Sequence, residues 1–420
     1  MRSVAVVGAS LAGLRAVEAL RAQGFDDRLH VIGDEPHPPY DRPPLSKGFL
    51  LGTVSADDLA LADADDDLGA DWRLGVRAER LDPAAGRLVL SDDRELAVDG
   101  VVIATGGRPR MLPGGDGITG VVTLRTLDDA VTLRALLAAG PAHVVIIGAG
   151  FLGAEVAASC RASGRSVTVV EAMPVPLHGA VGPVVGEICA RLHVDNGVTL
   201  IRGHGVTGFD ADRDRRIRGV RLDDGRALPA DLVVVAIGIR PNTEWLAGSG
   251  LTVADGVCTD AGWMTDLPNV VAVGDVARHA CGGQMVRHEH WTAAAEQPAV
   301  AVANLLAGKH IGHCPGQGYF WSDQYGVRIQ FAGDIAPDDE VLIAEGSPDD
   351  RAFLARYQRA GDTTGVLAMN MARAFTRARR GLARTTIEEA QPCPTCSSTE
   401  RGAMPWRAAG TTSSTPSTRV

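Results

Sequence analysis

Two stretches of the chain carry the same order of apolar and polar positions. Residues 3 to 35 read as an apolar strand, a turn Gly8-Ala9-Ser10-Leu11-Ala12-Gly13, an amphipathic helix, a second apolar strand and the acids Asp34 and Glu35. Residues 144 to 171 repeat that order around Gly148-Ala149-Gly150-Phe151-Leu152-Gly153 and end on Glu171. This alternation of strand and helix periods predicts two βαβ units. In each, the glycines permit a sharp turn and a close approach of backbone to a pyrophosphate. The helix N-terminus supplies positive partial charge, and the closing carboxylate suits a ribose diol. An ordinary strand-to-helix turn is the plainer account of either motif alone, but the duplication favours two dinucleotide sites. One nicotinamide and one flavin is the economical pair, because hydride passed between two bound cofactors explains why both seats share a chain.

A second repeat frames the first. Val101 to Pro109 and Val233 to Pro241 are apolar runs that end in a Gly turn and Arg-Pro, as expected of strands buried on both faces of a parallel sheet. Each is read as closing a nucleotide module. The expected order is a first module at 1–110, a second at 111–240 inserted within it, and a return to the first at 241–315 through Val270-Val271-Ala272-Val273-Gly274-Asp275. From about 316 the chain turns aromatic, with Tyr319-Phe320-Trp321-Ser322-Asp323-Gln324-Tyr325, and shorter alternating runs predict an antiparallel sheet to about 385. Residues 386–420, rich in Ser, Thr, Pro and Gly, read as a disordered tail. The fold class is therefore α/β, with two Rossmann-like units and a C-terminal α+β unit.

Composition narrows the chemistry. The 420 residues carry a net charge of −10, which argues against a general nucleic-acid or membrane-surface role. No apolar run approaches the ~20 residues that span a bilayer, and the chain passes from Met1-Arg2 straight into a strand, so a cytoplasmic location is expected. The seven cysteines are mostly scattered singly, as for reduced thiols. Cys393 and Cys396 form a lone Cys-x-x-Cys in the tail, and His288-Glu289-His290 with Cys281 lacks a full ligand set, so no metal is assigned. Only Lys47 and Lys309 are lysines, which makes Lys47 stand out behind Pro43-Pro44.

These residues resemble the flavin-dependent NADH:ferredoxin reductases of bacterial cytochrome P450 and aromatic-ring dioxygenase systems, within the pyridine nucleotide-disulfide oxidoreductase superfamily. The marks are Val7 to Gly13, Pro39-Tyr40-Asp41-Arg42-Pro43-Pro44-Leu45-Ser46-Lys47, Ala104-Thr105-Gly106, Leu124 to Ala130, Gly148 to Glu155, Val273-Gly274-Asp275, Glu289-His290-Trp291 and Trp321-Ser322-Asp323. The resemblance implies two glutathione reductase-type units, FAD in the first, NADH in the second, and a C-terminal unit covering the flavin. It implies FAD contacts from Gly8, Ser10, Ala12, Gly13, Asp34, Glu35, Arg42, Lys47, Val76, Thr105, Gly106, Arg125, Asp275 and Trp291. NAD contacts are expected from Gly148, Gly150, Phe151, Leu152, Gly153, Glu155, Glu171 and Gly238.

Several of these positions have a physical reading of their own. Ser10 stands where the middle glycine of the motif would be, and its small side chain still admits a phosphate. Adjacency leaves open whether Asp34 or Glu35 holds the flavin's ribose. Glu171, 23 residues after Gly148, repels a 2′-phosphate and so favours NADH over NADPH. Lys47 is expected at the start of a short helix, where its charge would stabilise a reduced flavin; a solvated lysine is the alternative. Asp275 reads as a ribityl ligand or a turn aspartate. Glu155 is expected in the first turn of its helix, either near the nicotinamide or serving the helix dipole. Trp321 packs beside the flavin by resemblance, as a shield or exit route, or anchors the small unit's core. Lys47, Glu155 and Trp321 are thus the candidate catalytic residues.

The segment from Asp41 to Gly48 has no cysteine, which speaks against a second class, an NADH oxidase, disulfide reductase or peroxide reductase. A flavoprotein that signals through partners, as apoptosis-inducing relatives do, is the third class. Arg373, Arg377, Arg379, Arg380 and Arg384 gather in one helix-length segment, either as a docking face for an acidic ferredoxin or as a solvated helix face.

Overall fold

The computed structural model describes residues 1–61, 68–281, 284–313, 318–336 and 338–382. The tail expected from 386, with Cys393 and Cys396, and Arg384 lie outside the described residues. Uninterrupted apolar runs become strands with no exposed face: Ser3–Val7, Gly100–Ile103, Leu232–Val235 and Val270–Ala272 are buried throughout. They build two five-stranded parallel sheets. The first has the order Val270–Ala272, Gly100–Ile103, Ser3–Val7, Arg28–Gly33, Asp71–Leu74. The second runs Thr199–Arg202, Ser166–Glu171, His143–Ile147, Leu232–Val235, Val121–Val122. Both place the strand before the glycine turn at the centre, so the turn opens at the carboxyl ends of the strands where α/β sheets bind ligands.

The helices are α1 (Leu11–Ala22), α2 (Leu127–Ala138), α3 (Phe151–Ala162), α4 (His178–Asp195), α5 (Trp291–Ala307) and α6 (Ala372–Arg380). Among the described residues no helix is long and apolar enough to cross a membrane. The two runs end in the glycine turns their sequence indicates. The chain leaves each sheet after Ile103 and Val235, where Gly106 and Gly238 take φ of 58° and 91°. The Arg-Pro ends then pair antiparallel with one another, Arg108 opposite Arg240. A turn at positive φ is what glycine permits and what breaks the run.

The C-terminal sheet is antiparallel, in the order Tyr319–Gln324, Val327–Gly333, Asp362–Met369, Ala352–Arg359, Glu340–Ser347. Its inner face shares a core with α4: Val181, Val185 and Leu192 meet Ile329, Phe353 and Tyr357. The Tyr357 hydroxyl donates to the Val181 carbonyl at 2.8 Å. Each such fully buried side chain contributes about 1.5–3 kcal/mol. α4 breaks at Gly182 (φ 72°, ψ 171°), and Pro183 restarts it with a fixed φ.

Two buried imidazoles make the fold sensitive to acid. Burial pushes His193, which meets the Tyr325 hydroxyl at 2.8 Å, down to about 4, and His279 down to about 3. The unfolded chain's imidazoles take protons near the ordinary 6.5. Stability is therefore full above that value and is lost as pH falls towards about 4, by on the order of 3 kcal/mol for His193. Melting temperatures measured from pH 7.5 down to pH 4.5 should fall, and His193→Gln should flatten the slope below ~6.5.

Candidate active site

The two glycine turns are built to one plan. Gly8 N–H donates to Ile32 O at 2.8 Å, and Gly148 N–H to Val170 O at 2.8 Å. A Cβ on Gly8 (φ 119°) would lie 2.1 Å from Ala104 O, and one on Gly148 (φ 102°) 2.3 Å from Ala236 O. A Cβ on Gly13 or Gly153 would lie 1.8 or 2.0 Å from the carbonyl of Gly8 or Gly148. Helix, turn and neighbouring strand thus touch through backbone alone. At Gly150 and Gly238, by contrast, a Cβ would meet nothing within 4 Å, so these backbones border open space.

The helix starts divide into capped and uncapped ends. α2 satisfies its own N-terminus: Asp129 N–H donates to Thr126 Oγ1 at 3.1 Å and Thr126 N–H to Asp129 Oδ2 at 3.0 Å, a complete capping box. α1 and α3 start at Ser10 and Gly150 with no side-chain cap and no acid in the first turn. Free amides and an unopposed dipole at a glycine turn fit a phosphate. Glu171 closes the second unit, its Oε2 accepting from Ala149 N–H and its Oε1 from Met173 N–H, both at 2.8 Å. That carboxylate is held beside the turn by backbone. Leu152 and Phe151 open α3, with Leu152 exposed and Phe151 against Phe320 at 4.7 Å between ring centroids.

Around the first turn, Arg42 ties several candidates together. It donates to Glu35 Oε1 at 2.6 Å, to Ser10 Oγ at 3.3 Å, to the Tyr40 hydroxyl at 2.9 Å and to Arg125 O at 2.7 Å. Tyr40 donates to Glu35 Oε2 at 2.5 Å, and burial pushes its hydroxyl's titration well above the ordinary range. Glu35 is therefore engaged, whereas Asp34 is exposed at the end of the strand. Arg125 donates to Asp275 Oδ2 at 2.6 Å, and Gly274 packs so closely that a Cβ there would sit 3.0 Å from Ala12 Cβ. Thr105 Oγ1 donates to Asn242 O at 2.8 Å beside Gly106, and the half-buried Val76 donates its N–H to Gly33 O at 2.8 Å.

Glu155 sits on α3 just past the second glycine turn. Its Oε2 stands 2.6 Å from Lys47 Nζ and accepts from Ser46 Oγ at 2.6 Å, while its Oε1 accepts from Ser322 Oγ at 2.7 Å. Glu155 is only 7% exposed, and Ser322 is fully buried. Two expectations change here. Lys47 follows the 3-10 helix Pro43–Ser46 instead of starting a helix, because the two prolines fix its opening. Glu155 falls beyond the first turn of α3, so it binds side chains and not the helix's own amides.

Trp321 lies 6.0 Å from Trp291 and 5.9 Å from Tyr319, ring to ring. Trp291 donates to Asp41 Oδ1 at 2.7 Å. On α6, Arg379 covers the Tyr319 ring at 4.7 Å and Arg377 pairs with Glu345 at 2.8 Å, leaving Arg373 and Arg380 exposed. The sequence reading assigned no role to Tyr40, Asp41, Ser46 or Ser322. Ser322 does carry one signal: strand alternation puts it on the buried face with Phe320 and Gln324.

The pyridine nucleotide-disulphide oxidoreductase model matches residues 2–298. The chain belongs to that family. A second model, the reductase C-terminal family, matches residues 319–393 of this oxidoreductase. Rhodocoxin reductase of Rhodococcus erythropolis is 36% identical over 387 residues, covering 91% of this chain and 89% of that protein. The ferredoxin reductase component of chlorobenzene dioxygenase from Cupriavidus sp. (strain PS12) is 37% identical over 394 residues, covering 92% and 94%. Among solved structures, the covalent putidaredoxin reductase–putidaredoxin complex matches with a TM-score of 0.86 and 32% identity over 91% of this chain and 93% of that one.

The Glu155 junction should be costly to break. Glu155→Ala leaves Lys47, Ser46 and Ser322 without their shared acceptor, and urea unfolding should show a loss of about 3 kcal/mol.

Proposed function

We propose that this oxidoreductase carries electrons from NADH through FAD to a ferredoxin, a small iron–sulfur protein that serves a cytochrome P450 or a ring-hydroxylating dioxygenase. The observation that carries the reading is the Glu155 junction. One buried carboxylate joins the second nucleotide helix to Lys47 of the first unit and to Ser322 of the C-terminal unit, bringing both seats and the covering unit to one place. Bound FAD would supply hydride acceptance from NADH and single-electron release to the partner.

The chain's own residues do the binding and orienting. Residues 1–110 and 241–315 form the FAD unit, 111–240 the NADH unit, and 316–385 the reductase unit. The uncapped end of α1, with Ser10, takes the flavin's pyrophosphate, and that of α3 takes the nicotinamide nucleotide's. Asp34, free where Glu35 is held by Arg42 and Tyr40, takes the flavin's adenosine ribose. Arg42, Val76, Thr105, Gly106, Arg125, Asp275 and Trp291 line the rest of that seat. Lys47 places positive charge where the reduced cofactor gathers negative charge. Glu171 takes the NADH ribose. Arg202, its neighbour on the next strand, is held by Glu187 at 2.7 Å and does not neutralise it.

Among the described residues, thiol chemistry has no support in the site. Cys160 and Cys189 are free but buried in apolar cores, which pushes each thiol up to about 12. Free thiols and an NADH donor fit a cytoplasmic enzyme. Trp321 and Tyr319 lead from Trp291 to the basic face of α6, where an acidic ferredoxin would dock.

The purified protein should be yellow, should be reduced in stopped flow by NADH in preference to NADPH, and should pass electrons to cytochrome c through a [2Fe–2S] ferredoxin. A colourless protein that cannot be reconstituted with FAD would end the reading. Glu171→Ala should narrow the NADH preference in kcat/KM by at least ~10-fold, equal to about 1.4 kcal/mol. Reversing Arg373 and Arg380 to Glu should slow ferredoxin turnover at low salt while ferricyanide turnover is kept; equal loss of both would remove α6 as the docking face.

A further inference from the structure

Single-electron delivery from NADH leaves one proton over. The C4–H bond of NADH breaks and gives up a hydride, two one-electron acceptors each take an electron, and NAD+ and one proton remain. This proton must reach water, and the requirement rests on the electron-transfer reading above. A docked partner on the C-terminal unit and a nucleotide at the N-terminus of α3 would both stand between the junction and solvent.

One cavity reaches the junction from another side. It holds about 430 Å³ and is lined by Lys47, Glu155, Ala158, Ser159, Gln324 and Tyr325, among others. A water's share of liquid volume is about 30 Å³, so the cavity has room for a file of them. Glu155, Ala158, Ser159 and Ala162 sit at helical spacing on one face of α3, and all four line it. The cavity therefore runs along the helix, away from the end proposed to hold the nucleotide's phosphates.

We propose that this cavity is the proton's exit and that Glu155 is the group that hands the proton into it. Lys47 Nζ and Ser46 Oγ both reach Glu155 Oε2, on the side facing the first unit. Ser322 Oγ bonds its Oε1 and receives a weaker bond, 3.3 Å, from Gln324 Nε2. Ser322 thus holds Oε1 in place, and Glu155, which itself lines the cavity, hands its proton directly to water there. Gln324 is 1% exposed, and its Oε1, buried at the cavity wall, has no protein partner among the described residues.

The other charged groups facing the cavity are already committed. Arg161 donates to Asn196 O at 3.1 Å and to Arg165 O at 2.7 Å. The Tyr325 hydroxyl meets His193 and titrates far above neutrality because it is buried. Asp323 stands 3.6 Å from Arg328. Glu155, paired with Lys47, is the carboxylate at the inner end.

The test follows proton and flavin together. Holoenzyme reduced with one equivalent of NADH is mixed in stopped flow with ferricyanide, in weak buffer containing a pH indicator. Ferricyanide is a one-electron acceptor of the same stoichiometry and needs no docking. Ala158→Phe fills the cavity while leaving the four junction side chains themselves unchanged, Glu155→Gln removes the proton acceptor while keeping its shape, and Ala158→Ser controls for size. In the parent and in Ala158→Ser the indicator should change in step with flavin reoxidation. In Ala158→Phe and Glu155→Gln the proton should appear on the order of 10²-fold later, or both signals should slow together with a larger effect of D2O. Release in step, at the parent's rate, in both variants would overturn the proposal alone. A protein that NADH does not bleach would overturn the electron-transfer reading and this proposal with it.

Discussion

A carboxylate taken out of water needs compensation, and the arrangement of the whole molecule can be traced to how Glu155 obtains it. An ion that is 7% exposed loses most of its hydration, a cost of several kcal/mol in a protein interior. The chain returns donors from two distant places, Ser46 and Lys47 on one side and Ser322 on the other. Those residues are 109 and 167 positions away from Glu155 for the two serines, so the junction exists only when all three units have folded and met. The same contact that offsets the buried charge thereby fixes the distance between the two nucleotide seats.

The helix termini show the complementary use of unsatisfied polarity. α2 closes its own N-terminus with Thr126 and Asp129, and its role is to support the second sheet. α1 and α3 leave theirs open beside Gly8, Gly13, Gly148 and Gly153, where a Cβ would strike backbone. An exposed set of amides contributes little to the stability of an empty protein but gives a phosphate its partners. Cap and anion site are alternative solutions to one problem; α2 takes the first, and the open ends of α1 and α3 are shaped for the second.

Much of this was legible in the chain because it was written in local patterns. The glycine turns, the buried parallel strands and the antiparallel C-terminal sheet follow from spacing and periodicity within short windows. Lys47 stood out against an almost lysine-free background. The junction was not legible in the same way. Ser322 is an ordinary serine until its strand is placed against α3, and Glu155 could equally have served its own helix until the structure put it past the first turn. That Arg42 and Tyr40 engage Glu35 while Asp34 stays exposed likewise follows no spacing rule. The glycine turn before each Arg-Pro was legible, but not that the two Arg-Pro ends would pair with one another, because that contact joins residues as far apart in the chain as Arg108 and Arg240.

The kinked helix α4 has a mechanical consequence. Its first half and second half both bury side chains against the C-terminal sheet, although the helix belongs in sequence to the second nucleotide unit. Swinging that unit open like a jaw would strip Val181, Val185 and Leu192 from their packing, at several kcal/mol. Coenzyme exchange is thus left to side chains and loops at the rim, and the distance an electron must cover stays constant from one turnover to the next.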